Sequence, residues 1–202
     1  MDIILLDIGN VIVSVDFEPF CRAVARDGDA GAGEMMRRYC EGDLKDRLDR
    51  GQLSSDDFLR IMATDPATLD RPISFFRTAW QEIFSSLHGS LEGIRCLRER
   101  YRLWIMSDTD PLHFDYLIDN YPVMREAERF FLSYEHGFLK REQESFLHVL
   151  ESSGLEPDRF TLLDDRQVNV DTCRKTGMNG ILFTSWREVE ASSLCSGRRR
   201  GS

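Results

Sequence analysis

The chain has 202 residues, 42% of them hydrophobic and 30% charged, with a formal net charge of −9. That length suits one α/β domain or a core domain with a small insert, and the apolar share is enough for a real core. The acidic balance argues against unspecific binding to nucleic acid or to an anionic membrane, since both need basic surface.

Reading from the N-terminus, Ile3-Ile4-Leu5-Leu6 is a short apolar run stopped by Asp7 and Gly9. Such a run reads as a strand buried on both faces, as in a parallel sheet. It follows no basic leader and is too short to span a bilayer, so a cytoplasmic protein is expected. Residues 16–87 then show no convincing strand. Asp16 is placed to cap a helix over residues 17–26, and Ser54-Ser55-Asp56-Asp57 opens another before Phe58-Leu59. Pro72 starts a third, with Phe75, Phe76, Trp80, Ile83 and Phe84 apolar at helical spacing. These aromatics are expected to pack inward rather than to form a dimer face, which leaves monomer and homodimer both open. The glycine-rich segment at residues 28–33 reads as a loop; without a preceding strand it does not read as a phosphate cradle.

From residue 88 onward helices and strands alternate. Helical patterns at residues 91–97, 111–121, 144–153 and 168–176 are interleaved with apolar runs at 103–106, 160–163 and 180–183. Gly177 sits where a helix C-cap belongs. This alternation predicts a doubly wound, mostly parallel α/β sheet with right-handed crossovers. The core is expected to comprise residues 1–15 and 88–202, with residues 16–87 as an all-helical insert. The arginine-rich tail at residues 197–200 reads as a solvated end.

Cys21, Cys40, Cys96, Cys173 and Cys195 are odd in number, widely spaced and free of any CxxC. Neither a disulfide framework nor a zinc site is expected; they read as small core residues in a reducing compartment.

The strand ends carry the chemistry. In an open parallel sheet the carboxyl ends line one crevice, so Asp7, Ser107, Asp108, Asp164 and Asp165 should converge there. Each carboxylate taken alone could simply cap the helix that follows it. Gathered together they repel one another and need a shared cation, for which hard oxygen ligands favour Mg²⁺. Lys140, alone a surface lysine, would in that crevice hold a phosphoryl group and orient a nucleophile.

Four segments then resemble the ordered motifs of the haloacid dehalogenase (HAD) superfamily. They are Leu6-Asp7-Ile8-Gly9-Asn10-Val11, Met106-Ser107-Asp108-Thr109, Gly137-Phe138-Leu139-Lys140, and Asp164-Asp165 with Gly177-Met178. The match runs across almost the whole chain, and the insert lies where the family's type 1 helical cap would lie. The similarity is greatest to small bacterial members, including α-glucose-1-phosphate phosphatases. The resemblance implies a phosphatase for a small phosphorylated metabolite, with Asp7 as the nucleophile forming an aspartyl-phosphate. It implies Mg²⁺ held by Asp7, the Gly9 carbonyl, Asp164 and Asp165, and phosphoryl oxygens bound by Ser107, the Asp108 amide and Lys140. Three positions depart from the family pattern. Gly9 replaces the usual general acid, whose help is typically worth about 10²–10⁴-fold, which implies slow turnover unless Asp16 substitutes through a water. Asp108 stands where Asn is common and adds negative charge near the phosphate. Arg141 stands where Pro usually follows the lysine, which implies a looser loop or a second phosphate contact. A catalytically weak domain that binds a ligand or a protein, and a metal-independent 2-haloacid hydrolase, are the two other readings.

Overall fold

A computed structural model describes residues 1–196, and the tail read as a solvated end lies outside them. The strands are β1 (Ile3–Leu6), β2 (Val13–Val15), β3 (Phe84–Ser86), β4 (Arg102–Ser107), β5 (Arg129–Leu132), β6 (Phe160–Asp164) and β7 (Asn179–Leu182). The helices are α1 (Glu18–Val24), α2 (Ala32–Met35), α3 (Gly42–Asp49), α4 (Ser55–Thr64), α5 (Ile73–Gln81) and α6 (Ser90–Arg98). They continue with α7 (Pro111–Asn120), α8 (Ser133–His136), α9 (Gln143–Ser153), α10 (Gln167–Lys175), α11 (Trp186–Ala191) and α12 (Ser193–Ser196).

Five strands form one parallel sheet in the order β5-β4-β1-β6-β7. β1 lies in its centre, with Leu6 opposite Ile105 on one side and Leu163 on the other. Side chains alternate across the sheet, so each face has its own core. Ile4 and Leu6 join Ile94, Leu97 and Trp186 on one face, while Ile3 and Leu5 join Trp104, Phe146, Val149 and Cys173 on the other. Covering both faces is what makes the strands continuous apolar runs.

A third apolar cluster, separate from these two, fills the helices of the first half. It contains Phe20, Tyr39, Leu48, Phe58, Met62, Phe76 and Trp80. Phe20 and Phe58 set their rings edge-on to Trp80, each with centroids 4.9 Å away. Phe76 and Trp80 are fully buried and Phe75 and Phe84 are partly buried against the cluster, so the aromatics pack inward as expected. Ser54 caps α4, accepting from the Asp57 amide at 3.1 Å.

Several expectations need correction. The segment 16–87 is not purely helical: β3 pairs antiparallel with β2, so a short ribbon crosses both expected boundaries. α5 ends at Gln81, and three-residue strands are too short to show the alternation that marks a strand in sequence. β5 was not anticipated, because its four residues open on Arg129 at the edge of the sheet. The glycine-rich segment is a 3₁₀ turn running into α2. Cys96 and Cys195 form a disulfide tying α6 to α12, across 99 residues that hide the pairing from local sequence; Cys21, Cys40 and Cys173 are free. No described helix is long and apolar enough to cross a membrane.

Candidate active site

β1 stops being apolar at Asp7 because the sheet edge is where its backbone leaves the two covering layers. The same edge receives the ends of β4 and β6. Asp7, Gly9, Ser107, Asp108, Lys140 and Asp165 all line one cavity of about 400 Å³. Asp164, the remaining expected site residue, is fully buried just behind them.

Lys140 ties the centre together. Its Nζ lies 2.6 Å from Asp7 Oδ1 and 2.5 Å from Asp164 Oδ2, with the lysine itself only 2% exposed. Burial acts against its charge, but Asp7, Asp164 and Asp108 outweigh that and hold the ammonium above its ordinary range. Asp7 moves the other way, from 3.8 up to about 7. Burial is the main cause, and repulsion from Asp164 and Asp165 adds to it against the pull of Lys140. The site therefore holds more carboxylates than one lysine balances.

Two asparagines that sequence reasoning did not single out shape the acidic pair. Asn10 adopts φ 55, a left-handed conformation that asparagine tolerates better than most residues. From there its Nδ2 donates to Asp165 Oδ2 at 3.1 Å, and its Oδ1 accepts from the Val15 amide at 3.2 Å. Asn169, in the first turn of α10, donates to both oxygens of Asp164 at 3.0 and 3.1 Å. The available signal was position: one asparagine follows Gly9 in a tight turn, and the other opens the helix after the acidic pair.

The structure also places Asp108, Arg141 and Asp16. Asp108 lines the cavity, and its Oδ1 accepts the Lys140 amide at 2.8 Å and so anchors the lysine loop. Arg141 lines the cavity and pairs with Asp46 of α3. Asp16 is exposed, outside the cavity lining, and accepts from the Glu18 amide at 2.9 Å, which fixes the turn into α1.

Asp7, Asp164 and Asp165 each offer an oxygen, all within 4.8 Å of one another. An all-oxygen set carrying surplus negative charge fits a hard divalent cation. Asn169 Oδ1 is buried without a partner among the described residues, which leaves an acceptor beside that set.

The opposite wall comes from the first-half helices. Lys45 and Asp49 of α3 form an ion pair lining the cavity, and Lys45 Nζ is 4.0 Å from the fully buried Asp110. Asp110 is itself bound by His113 Nδ1 at 2.9 Å and Trp80 Nε1 at 3.2 Å, while its Oδ1 caps α7 by accepting the His113 amide at 3.1 Å. Arg50 closes the seam with a two-pronged contact to Glu142 at 2.6 and 2.8 Å and a hydrogen bond to the Gly137 carbonyl at 3.0 Å. Sequence spacing gave no hint of this wall, since its partners lie far apart in the chain.

Fold and site together define a parallel α/β protein with a carboxylate–lysine centre at the C-terminal edge of its sheet. Known proteins agree. A curated relative, the D-ribitol-5-phosphate phosphatase of Bacteroides thetaiotaomicron, is 24% identical over 181 residues, spanning 86% of this chain and 87% of the relative. Among solved structures, a HAD family enzyme of Bacteroides thetaiotaomicron superposes with a TM-score of 0.81 at 21% identity, covering 92% of this chain and 94% of that one. One of its other structures, a complex with magnesium and inorganic phosphate, matches with a TM-score of 0.76 at 20% identity over 92% and 95% of the two chains. The L-2-haloacid dehalogenase of Xanthobacter autotrophicus shares the fold at a TM-score of 0.65 and 13% identity, over 98% of this chain and 84% of that one. No family model matches the chain. The chain thus shares the fold of HAD family enzymes and is similar in sequence to a sugar-alcohol phosphate phosphatase.

Proposed function

We propose that this protein is a Mg²⁺-dependent phosphatase acting on a small phosphorylated metabolite, most simply a sugar phosphate, with Asp7 as the covalent nucleophile. The observation that carries this reading is Lys140 Nζ, held 2.6 Å from Asp7 and 2.5 Å from Asp164 in a cavity lined by hydroxyl and acid groups. The relative's activity on a polyol phosphate and the magnesium and phosphate bound by the structural neighbour support it.

Asp7 Oδ attacks phosphorus as the P–O ester bond breaks, the leaving oxygen takes a proton from solvent water to give the alcohol, and a water then attacks the phosphorus of the aspartyl-phosphate, releasing inorganic phosphate and free Asp7. This covalent route splits one difficult displacement into two easier ones. Ser107 and the Asp108 amide are assigned to the phosphoryl oxygens. Lys140 neutralises charge that develops on them and keeps Asp7 aimed, with its own loop fixed by Asp108. Asp7, Asp164, Asp165 and the Gly9 carbonyl would hold Mg²⁺, which supplies Lewis-acid charge neutralisation when bound. Residues 16–87 are read as a type 1 cap on a core of residues 1–15 and 88–202. Their separate apolar cluster and the place of α3 in the cavity wall support that division.

Phosphate release from a panel of sugar and other metabolite phosphates, with Mg²⁺ and with EDTA, tests the reading. Metal-dependent release from a few esters is expected. A flat panel from folded, Mg²⁺-binding protein would refute it in favour of a binding module. Activity on a 2-haloacid that survives EDTA would refute it in favour of C–halogen hydrolysis.

A further inference from the structure

Besides the Lys140 pairs, Lys45 and Asp49 form a second, largely buried ion pair lining the candidate active-site cavity. Their side chains are only 13% and 9% exposed. The pair leaves capacity unused: Asp49 Oδ1 takes the lysine, while Asp49 Oδ2 has no hydrogen-bond partner among the described residues. Lys45 has three N–H donors and makes one hydrogen bond; Asp110, at 4.0 Å, is an ion-pair neighbour beyond hydrogen-bond reach. Both residues feel the field of Asp108, so the pair lies near the loop that carries Lys140.

We propose that Lys45 and Asp49 form the subsite for the leaving group and that they select a neutral, polyhydroxylated alcohol, an alditol or sugar monophosphate. The inference rests on the phosphatase reading and deepens it. Lys45 donates to one hydroxyl and Asp49 accepts from its neighbour, a pairing that a vicinal diol satisfies on both sides. Around Lys45 the local charge disfavours an anionic leaving group, although Arg166 also lines the cavity. One ammonium faces Asp49, Asp110 and the nearby Glu41, and Arg141 is already committed to Asp46. A second phosphate or a carboxylate on the substrate would enter a wall already negative. Burial raises Asp49 to about 6, so the wall is negative at neutral pH and above. The rest of the pair's surroundings is fixed: Asp110 is held by His113 and Trp80, and Lys45 lies 5.8 Å from the Trp80 ring centre. A rigid, desolvated donor–acceptor pair rejects analogues that lack its partner group far better than an apolar pocket rejects extra atoms.

The test compares D-glucitol 6-phosphate with n-hexyl phosphate, equal in carbon count and different only in hydroxyls, and adds a hexitol 1,6-bisphosphate. Each is measured for kcat/KM and, by calorimetry, for equilibrium binding to the parent, Asp49→Leu and Lys45→Met, with circular dichroism confirming the fold. The parent is expected to prefer the polyol monophosphate to the alkyl ester by at least about a hundredfold. Asp49→Leu should cut that preference about tenfold or more and improve acceptance of the bisphosphate, because one negative charge leaves the wall. Lys45→Met should also lower the polyol preference while making the bisphosphate no better. A parent preference below about threefold, or a preference unchanged in both folded variants, overturns the subsite while leaving phosphatase activity standing. If the parent turns over no ester, the phosphatase reading falls and the binding comparison alone decides the subsite.

Discussion

Asp7→Asn should abolish turnover and at the same time make the metal-free protein more stable. Asp7 shares its buried site with Asp164 and Asp165 against a single lysine, and its acidity is displaced from 3.8 to about 7, chiefly by burial. At about 1.4 kcal/mol per pH unit, that displacement is worth up to about 4 kcal/mol of strain at neutral pH. Asparagine is nearly isosteric and uncharged, but it leaves Lys140 with Asp164 as its one ion-pair partner among the described residues. Allowing for that loss, a net gain of about 1–3 kcal/mol is expected, or roughly 2–12 °C in Tm for a chain of this size. The sign with pH follows from proton binding. Between pH 4 and 7 the folded parent binds more protons at Asp7 than the unfolded chain does, so the parent loses stability as pH rises through that window. The advantage of the variant should therefore be near zero at pH 4 and complete above pH 7. Urea unfolding of both proteins in EDTA across that range measures it. A variant no more stable than the parent at pH 7.5, or an advantage independent of pH, would refute the reasoning.

Other perturbations read different parts of the molecule. Adding Mg²⁺ to about 100 times its Kd should stabilise the parent by about 2.7 kcal/mol, and thermal shift should show the gain reduced in Asp7→Asn. EDTA should reverse it; equal shifts in both proteins would remove Asp7 from the metal set. Asp110→Ala strands His113, Trp80 Nε1 and Lys45 in a buried setting and uncaps α7, so a loss of about 3–5 kcal/mol is expected by denaturant unfolding. A loss below about 1 kcal/mol would show that the network is not a buried support. Gly51 combines φ +67 with a would-be Cβ only 2.2 Å from the Tyr134 carbonyl. Gly51→Ala should cost at least about 2 kcal/mol and push α3 away from the lysine loop, lowering kcat/KM together with Tm. Unchanged Tm would mean that the seam yields freely.

The seam joins the two halves of the cavity. Arg50 and Arg141 reach from opposite sides: the first leaves the end of α3 for Glu142, and the second leaves the lysine loop for Asp46. Both pairs are only partly buried, so each contributes modestly by itself. Their effect is positional, since Glu142 also accepts the Leu139 amide at 3.0 Å and thereby stiffens the turn that presents Lys140.

What the sequence determined by itself is the frame: four apolar runs, the acids and hydroxyl that end them, and the lysine between. Those features are local. A strand buried on both faces must be continuously apolar, and it must stop where the backbone leaves its covering layers, so Asp7, Ser107 and Asp164 announce themselves. Tertiary structure alone decided the rest. The β2–β3 ribbon joins residues some seventy apart through strands too short to carry a period, and β5 borrows its order from β4. The Cys96–Cys195 bond and the Lys45–Asp110 pairing likewise depend on elements meeting in space. Asp108 shows the same limit within the site: its chemistry was legible as an extra charge, yet its role as the anchor of the Lys140 amide depends on where a distant loop crosses the sheet edge. Local pattern fixes which groups stand at an edge, and packing decides which of them face one another.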